Sequence, residues 1–262
     1  MPGRNPFSGH NFQMVRHLIL LVALNLTVAL APSSLVWADE ALSAVQEEQW
    51  TIGINLNDTV RLGALLQEHL RAKGEPDARN RKGKTALMAA AAGKDLPLFK
   101  RLLEAGADPA AVNVKGASTL IYAAWGGNTG IIQILLAKAV PLEQAASNGW
   151  TAVMMAAAKG HQDTLALLLA AGAQADSRDV YGWTPLMRAS NLGRLGTAKI
   201  LLAKGGADVN AFNTRGQTAM HLAAAGEFRK LYQVLLAAGG NPDLADFKGR
   251  TPREIALAVG LQ

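Results

Sequence analysis

The sequence predicts an all-helical solenoid made of stacked copies of one unit, and three observations carry that reading. The first is a fixed period. Gly83, Gly116, Gly149, Gly182, Gly216 and Gly249 recur at spacings of 33, 33, 33, 34 and 33 residues, the extra residue being absorbed by the Gly205-Gly206 pair. A period of this size marks units that bury a core only by stacking on one another. The second is a repeated pair of signals within each unit. Ala90-Ala91, Ala123-Ala124, Ala156-Ala157 and Ala223-Ala224, with Ala189-Ser190 in the fourth copy, are followed by Leu102-Leu103, Leu135-Leu136, Leu168-Leu169, Leu201-Leu202 and Leu235-Leu236. Small residues at one level let neighbouring helices approach closely, and the leucines are expected to wedge into a continuous core. The third is composition: half of the 262 residues are apolar, 26 are glycine and only 5% are aromatic, which suits close helix packing better than a sheet sandwich.

Residues 1–38 read as a secretory signal. Arg4 and Arg16 form a basic start, Leu18 to Ala31 are apolar throughout except Asn25 and Thr27, Pro32-Ser33-Ser34 break the run, and Val36-Trp37-Ala38 offers the small residues signal peptidase reads. Cleavage between Ala38 and Asp39 would deliver the mature chain to the periplasm or the medium. The alternative is an uncleaved anchor, since residues 18–38 carry no charge and are just long enough to span an inner membrane. Residues 39–55 form a polar lead-in with a helix expected from Ala41 to Trp50. From Asp58, the spacing of Val60, Leu62, Leu65, Leu66 and Leu70 predicts an amphipathic helix ending before Lys73-Gly74, within a degenerate first repeat that caps the array.

Within each unit the second residue after the marker glycine is Thr85, Ser118, Thr151, Thr184, Thr218 or Thr251. A hydroxyl there can accept from an unpaired N–H at the start of a helix. Pro185 and Pro252 follow directly, at the first helical position, where a missing N–H costs nothing. Gly106, Gly172, Gly205 and Gly239 suit the left-handed conformation that ends the second helix, whereas the second copy has Ala139, which predicts a strained end before Pro141.

These fragments, above all GWTPLMRAS, GADVNAFN, GQTAMHLAAA and GRTPREIA, resemble the ankyrin repeat family over roughly residues 57–262, and with the amino-terminal signal the chain looks like an exported bacterial member. The resemblance implies a hairpin-like finger and two antiparallel helices per copy: a partial repeat at 56–79, repeats at 80–112, 113–146, 147–179, 180–213 and 214–246, and a partial one at 247–262. The family motif places a histidine after Thr-Pro-Leu. Here only His221 keeps it, Met88, Ile121, Met154 and Met187 standing in its place, so the cross-repeat hydrogen bond of that histidine is in doubt elsewhere.

A search for chemistry returns little. There is no cysteine, hence no disulfide, thiolate metal site, cysteine nucleophile or lipid-modified cysteine. His161 and His221 sit in the family's turns and are expected to be structural; no metal-ligand spacing and no phosphate-cradling glycine loop is present. The series Met88, Met154, Met155, Met187 and Met220 has the phase of core packing rather than soft-metal binding. Asn57-Asp58-Thr59 fits a glycosylation acceptor but is read as accidental. No nucleophile, base and orienting partner come together, so we expect no catalytic residue, no cofactor, no metal and no enzyme. The net charge is +6 and falls to +4 without Arg4 and Arg16. Lys100, Arg101, Lys138, Lys199, Arg229 and Lys230 spread over successive second helices, which argues for a solvated face and against nucleic acid.

The resemblance implies binding of another protein through the concave side and the finger tips. Trp150 and Trp183 are expected to be neighbours; Tyr122, Met155 and Arg188 share one level of the first helices; Trp125 lies one turn along, and Tyr181 precedes a marker glycine. Aromatics with an arginine have the composition of an interface hot spot; the alternative is that the tryptophans merely cover the finger stems. The expected function is a non-enzymatic, monomeric scaffold of the cell envelope, with membrane contact only through an uncleaved signal. A peroxide-protection factor of the envelope and a secreted effector that binds host proteins are the alternatives.

Overall fold

A side-chain hydroxyl opens the first helix of nearly every unit. Thr85, Ser118, Thr151, Thr184 and Thr251 each accept from the N–H three residues on, at 3.2–3.3 Å. Such a cap contributes about 1 kcal/mol. At Thr218 the arrangement differs: Nδ1 of His221 accepts from the Thr218 N–H at 3.1 Å and lies 3.0 Å from its hydroxyl.

The computed structural model describes residues 33–71 and 74–261, which form thirteen helices and no named strand. The amino-terminal pair is α1 (Ser33–Leu56) and α2 (Thr59–Arg71). Five full pairs follow: α3 (Ala86–Ala92) and α4 (Leu96–Glu104), α5 (Thr119–Gly126) and α6 (Thr129–Ala137), α7 (Ala152–Lys159) and α8 (Gln162–Ala170), α9 (Pro185–Asn191) and α10 (Leu195–Lys204), α11 (Ala219–Ala225) and α12 (Arg229–Ala237). A single helix, α13 (Pro252–Ala258), packs on α11. First helices stack on first helices in one row, and second helices on second helices in another.

The alanine pairs lie wholly inside, as do Met88, Met154, Met187 and Met220, so the methionines fill the core. Packing at that level is tight enough that a Cβ added to Gly126 would stand 2.4 Å from the Ala91 carbonyl oxygen. The leucine pairs divide their labour. Leu102, Leu135, Leu168, Leu201 and Leu235 are fully buried, while Leu103, Leu136, Leu169 and Leu202 are half-buried and Leu236 is exposed. Adjacent residues of a helix point about 100° apart, so only one of the two can face the core. At the ends of the second helices Gly106, Gly172 and Gly239 have φ between 87° and 94°, and Ala139 is held in the same left-handed region at 52°; Gly205, expected there too, is right-handed at φ −90°, and the inserted Gly206 takes the left-handed turn at 61°.

The amino-terminal end departs from the expected segmentation. The helix expected from Ala41 to Trp50 is longer, and its carboxyl half serves as the first helix of the cap, packing on α2 and α3. Trp50 and Ile54 are buried; Trp50 stacks on His69 with ring centroids 4.3 Å apart and planes 6° from parallel, and His69 Nε2 donates to the Glu75 carbonyl oxygen at 2.9 Å. Lys84 closes the junction: its Nζ donates to the Ile54 carbonyl oxygen at 2.7 Å and to Asn57 Oδ1. The lead-in therefore belongs to the packed array. The expected signal run, 18–31, lies outside the described residues, and the expected cleavage position after Ala38 falls within α1. Among the described residues no helix is long and apolar enough to cross a membrane.

Candidate partner-binding face

Between helix pairs the chain makes short fingers, and one side chain organises the base of most of them. Asn80, Asn113, Asp179, Asn213 and Asp246 each use Oδ1 to accept the N–H groups two and four residues on, at 2.8–3.1 Å. In two of the fingers the base residue also reaches the residue nine later, on the first helix. Asn113 Nδ2 donates to the Tyr122 hydroxyl at 3.1 Å, and Asp179 Oδ2 pairs with Arg188 Nη2.

The third finger breaks this rule. Its base residue is Ala146, the residue nine later is Met155, and Asn148 Oδ1 takes over part of the turn by accepting from the Trp150 N–H at 3.2 Å. The missing amide opens a groove of about 290 Å³ whose walls include Tyr122, Trp125, Ala146, Trp150 and Met155, with Asn113 and Lys115 at its polar edge. Tyr122 and Trp125 meet at 6.4 Å with tilted rings, Lys159 Nζ lies 5.3 Å from the Trp125 ring, and Lys84 Nζ lies 5.6 Å from that of Tyr122. Trp125 is 41% exposed, a large apolar area left to solvent beside the groove.

Next to the groove stands a clamp. The Arg188 guanidinium carbon lies 4.7 Å from the Trp150 ring centroid and 4.4 Å from that of Trp183, on top of its pairing with the buried Asp179 carboxylate. The two tryptophans are neighbours as expected, joined through Arg188, and this gives them a structural role beside any binding role. Of the seven candidates, Tyr122, Trp125, Trp150 and Met155 converge on the groove. Trp183 and Arg188 adjoin it, and Tyr181 sits apart on a finger tip. Sequence reasoning missed Ala146, which matters for the side chain it lacks, and also Phe212, beside a finger base, and Phe247, on a tip, exposed rings that meet edge-on at 6.4 Å. The signal was available in the residues before each marker glycine.

The three described histidines all bond to main-chain carbonyl oxygens. His161 Nε2 bonds that of Trp125 at 3.0 Å, and His221 Nε2 that of Arg250, 29 residues on, also at 3.0 Å. With Nδ1 accepting from Thr218, His221 is the neutral imidazole protonated on Nε2, and burial pulls its pKa below 6.5. Burial, helped by the nearby charge of Lys82, brings Lys84 down to about 8. Asp246 goes the other way in net effect: burial opposes its ionisation, but hydrogen bonds from the Arg250 side chain and from the Arg250 and Lys248 N–H groups hold it at about 2. Among the described residues no cluster of three or more His, Asp or Glu could hold a metal ion.

Stacked finger-and-helix-pair units, whose base side chains are spent on their own turns and which carry a groove walled by aromatics, define a recognition solenoid. Residues 56–145 and 140–213 match the family model described as ankyrin repeats in three copies, a span of more than half of the chain. The chain belongs to the ankyrin repeat family. A 55-residue stretch is 38% identical to SH3 and multiple ankyrin repeat domains protein 2 of Homo sapiens, covering 21% of this chain and 3% of that protein. Ankyrin repeats form a protein-interaction module of generally non-enzymatic character.

Proposed function

We propose that this protein is a non-enzymatic scaffold of the periplasm or cell envelope that captures a partner protein by seating one of its apolar side chains against Tyr122, Trp125, Trp150 and Met155. One observation carries the reading: the third finger alone lacks the base amide or carboxylate, and the space left is walled by aromatic rings instead of being refilled. Buried aromatic anchors in a well-walled pocket are what concentrates binding energy at protein interfaces. The envelope location is supported by Arg4, Arg16, the apolar run and Val36-Trp37-Ala38. A photo-crosslinking residue at the exposed Ser147, on the rim, is expected to trap a discrete protein from envelope extract, while the same group at Lys199 on α10 traps none. Equal or absent adducts at the two positions would sink the assignment. Fractionation tests the location: recovery from the periplasm supports the envelope reading, and recovery from the medium points to the effector alternative.

A further inference from the structure

The finger tips form an edge that borders the groove at Lys115, Ser147 and Asn148 and runs beyond it on both sides. Each tip is the pair of residues before a marker glycine, and adjacent tips are tied edge to edge by one backbone hydrogen bond. The Lys82 carbonyl oxygen accepts from the Val114 N–H, and the pattern repeats at all five junctions, ending with Arg215 accepting from Phe247, at 2.7–3.2 Å. The tips therefore stand in one registered row. All twelve tip side chains are exposed. Five of them are cations, Arg81, Lys82, Lys115, Arg215 and Lys248, and none is a carboxylate. Among the described residues none of these five cations forms an ion pair. Between them stand Val114, Val180, Tyr181 and Phe247, exposed by 57–72%, with Phe212 beside Phe247.

We propose that this edge docks on an anionic phospholipid bilayer, laying Val114, Val180, Tyr181 and Phe247 into the headgroup boundary while the cations meet lipid phosphates. The composition is that of an interfacial membrane contact, where aromatics and aliphatics enter the boundary and Lys and Arg add electrostatic attraction. A row fixed by backbone hydrogen bonds presents its cations and its apolar side chains together along one edge. A nucleic-acid backbone would use the cations and leave the valines in water. The carboxylates near the tips face inward and are spent: Asp179 on Arg188, Asp246 on Arg250. The two surfaces meet at Lys115, Ser147 and Asn148, but Val180, Tyr181, Thr214, Arg215, Phe247 and Lys248 lie outside the groove, so substitutions there test this contact separately.

The test uses the full chain, whose lack of cysteine allows single-site labelling. An environment-sensitive dye is attached through Thr214→Cys on a tip or through Lys199→Cys on α10, and each protein is mixed with vesicles of phosphatidylcholine with or without phosphatidylglycerol. The dye at position 214 is expected to brighten on the anionic vesicles only, and the dye at position 199 to stay unchanged. Arg215→Glu with Lys248→Glu weakens this binding at least tenfold, and Tyr181→Ser with Phe247→Ser abolishes the brightening. Thermal melting confirms that these exposed substitutions leave the fold intact. Equal responses at both positions, or on both lipids, would overturn the proposal by assigning the contact to another part of the chain or to non-electrostatic adsorption. Brightening at 214 by polyglutamate without lipid would overturn it in favour of an acidic protein partner.

Discussion

Arg188 reaches back nine residues to pair with Asp179, a carboxylate that is itself buried at the base of the fourth finger. Oδ1 of that carboxylate holds the N–H groups of Tyr181 and Trp183, while Oδ2 takes the guanidinium, which Trp150 and Trp183 enclose. One side chain thus ties the finger, the first helix and two tryptophans from adjacent units. Asp179→Ala strands a partly buried guanidinium and two turn donors. Its cost is expected near the low end of the roughly 3–5 kcal/mol for breaking a buried pair, because the Arg188 side chain is 19% exposed. Asp179→Asn keeps the turn, as Asn113 and Asn213 do, and should cost about half as much; urea unfolding of the two variants checks the ratio.

The same clamp bears on Trp150 and Trp183. Replacing both with alanine removes the two faces on which Arg188 rests, so a drop in melting temperature is expected together with any loss of partner binding. Each stacked cation contributes on the order of 1 kcal/mol. A melting curve indistinguishable from that of the unmodified protein would show that the rings serve recognition alone.

Ala146→Asn separates binding from stability more cleanly. The introduced amide can accept the two turn N–H groups, as its counterparts do in five other fingers, and it occupies the groove beside Met155. The expected outcome is an unchanged or slightly raised melting temperature with loss of the Ser147 crosslink. A variant that melts normally and still captures the partner at full strength would remove the groove from the account.

His221 and Asp246 set the acid side of stability. Because burial lowers the His221 pKa in the folded state, the unfolded chain binds the proton first as pH falls below 6.5; stability is complete above that value and declines below it. His221→Met, the residue already used at this level by Met88, Met154 and Met187, should flatten this limb of the profile. Asp246 acts lower. Its folded value of about 2 lies under the ordinary 3.8, so its contribution is present above 3.8 and lost between there and about 2, a loss that Asp246→Asn removes. Denaturant midpoints measured from pH 7.5 to 2 resolve the two windows.

Among the described residues Ala139 is the one second-helix end in the left-handed region without a glycine, at φ 52°. An L side chain there costs roughly 1–2 kcal/mol, partly offset by the extra chain entropy glycine loses on folding. Ala139→Gly is expected to gain about 0.5–1 kcal/mol, read as a shift of the denaturant midpoint with an unchanged slope.

The array was legible because its signals are local. The marker glycines, the hydroxyls from Thr85 to Thr251 and the alanine pairs each act within one turn or one helix, and a one-dimensional period reports them faithfully. Even the strain at Ala139 could be read from the glycines at the equivalent positions. The cap was less legible: Trp50 finds its partner in His69, a contact across two helices that no period announces.

By itself the sequence determined that this chain stacks helical pairs and bonds its units through finger and turn, since backbone propensity and capping act between residues close along the chain. Only the tertiary structure decided which candidates stand together and which are already engaged. Arg188 is engaged by Asp179; Tyr122, Trp125, Trp150 and Met155 gather around a space that exists because Ala146 has no amide to fill it; and the six tips meet in one row. The physical reason is that a groove and a registered edge are made of contacts between units about 33 residues apart, and such contacts depend on the side chains of two copies at once.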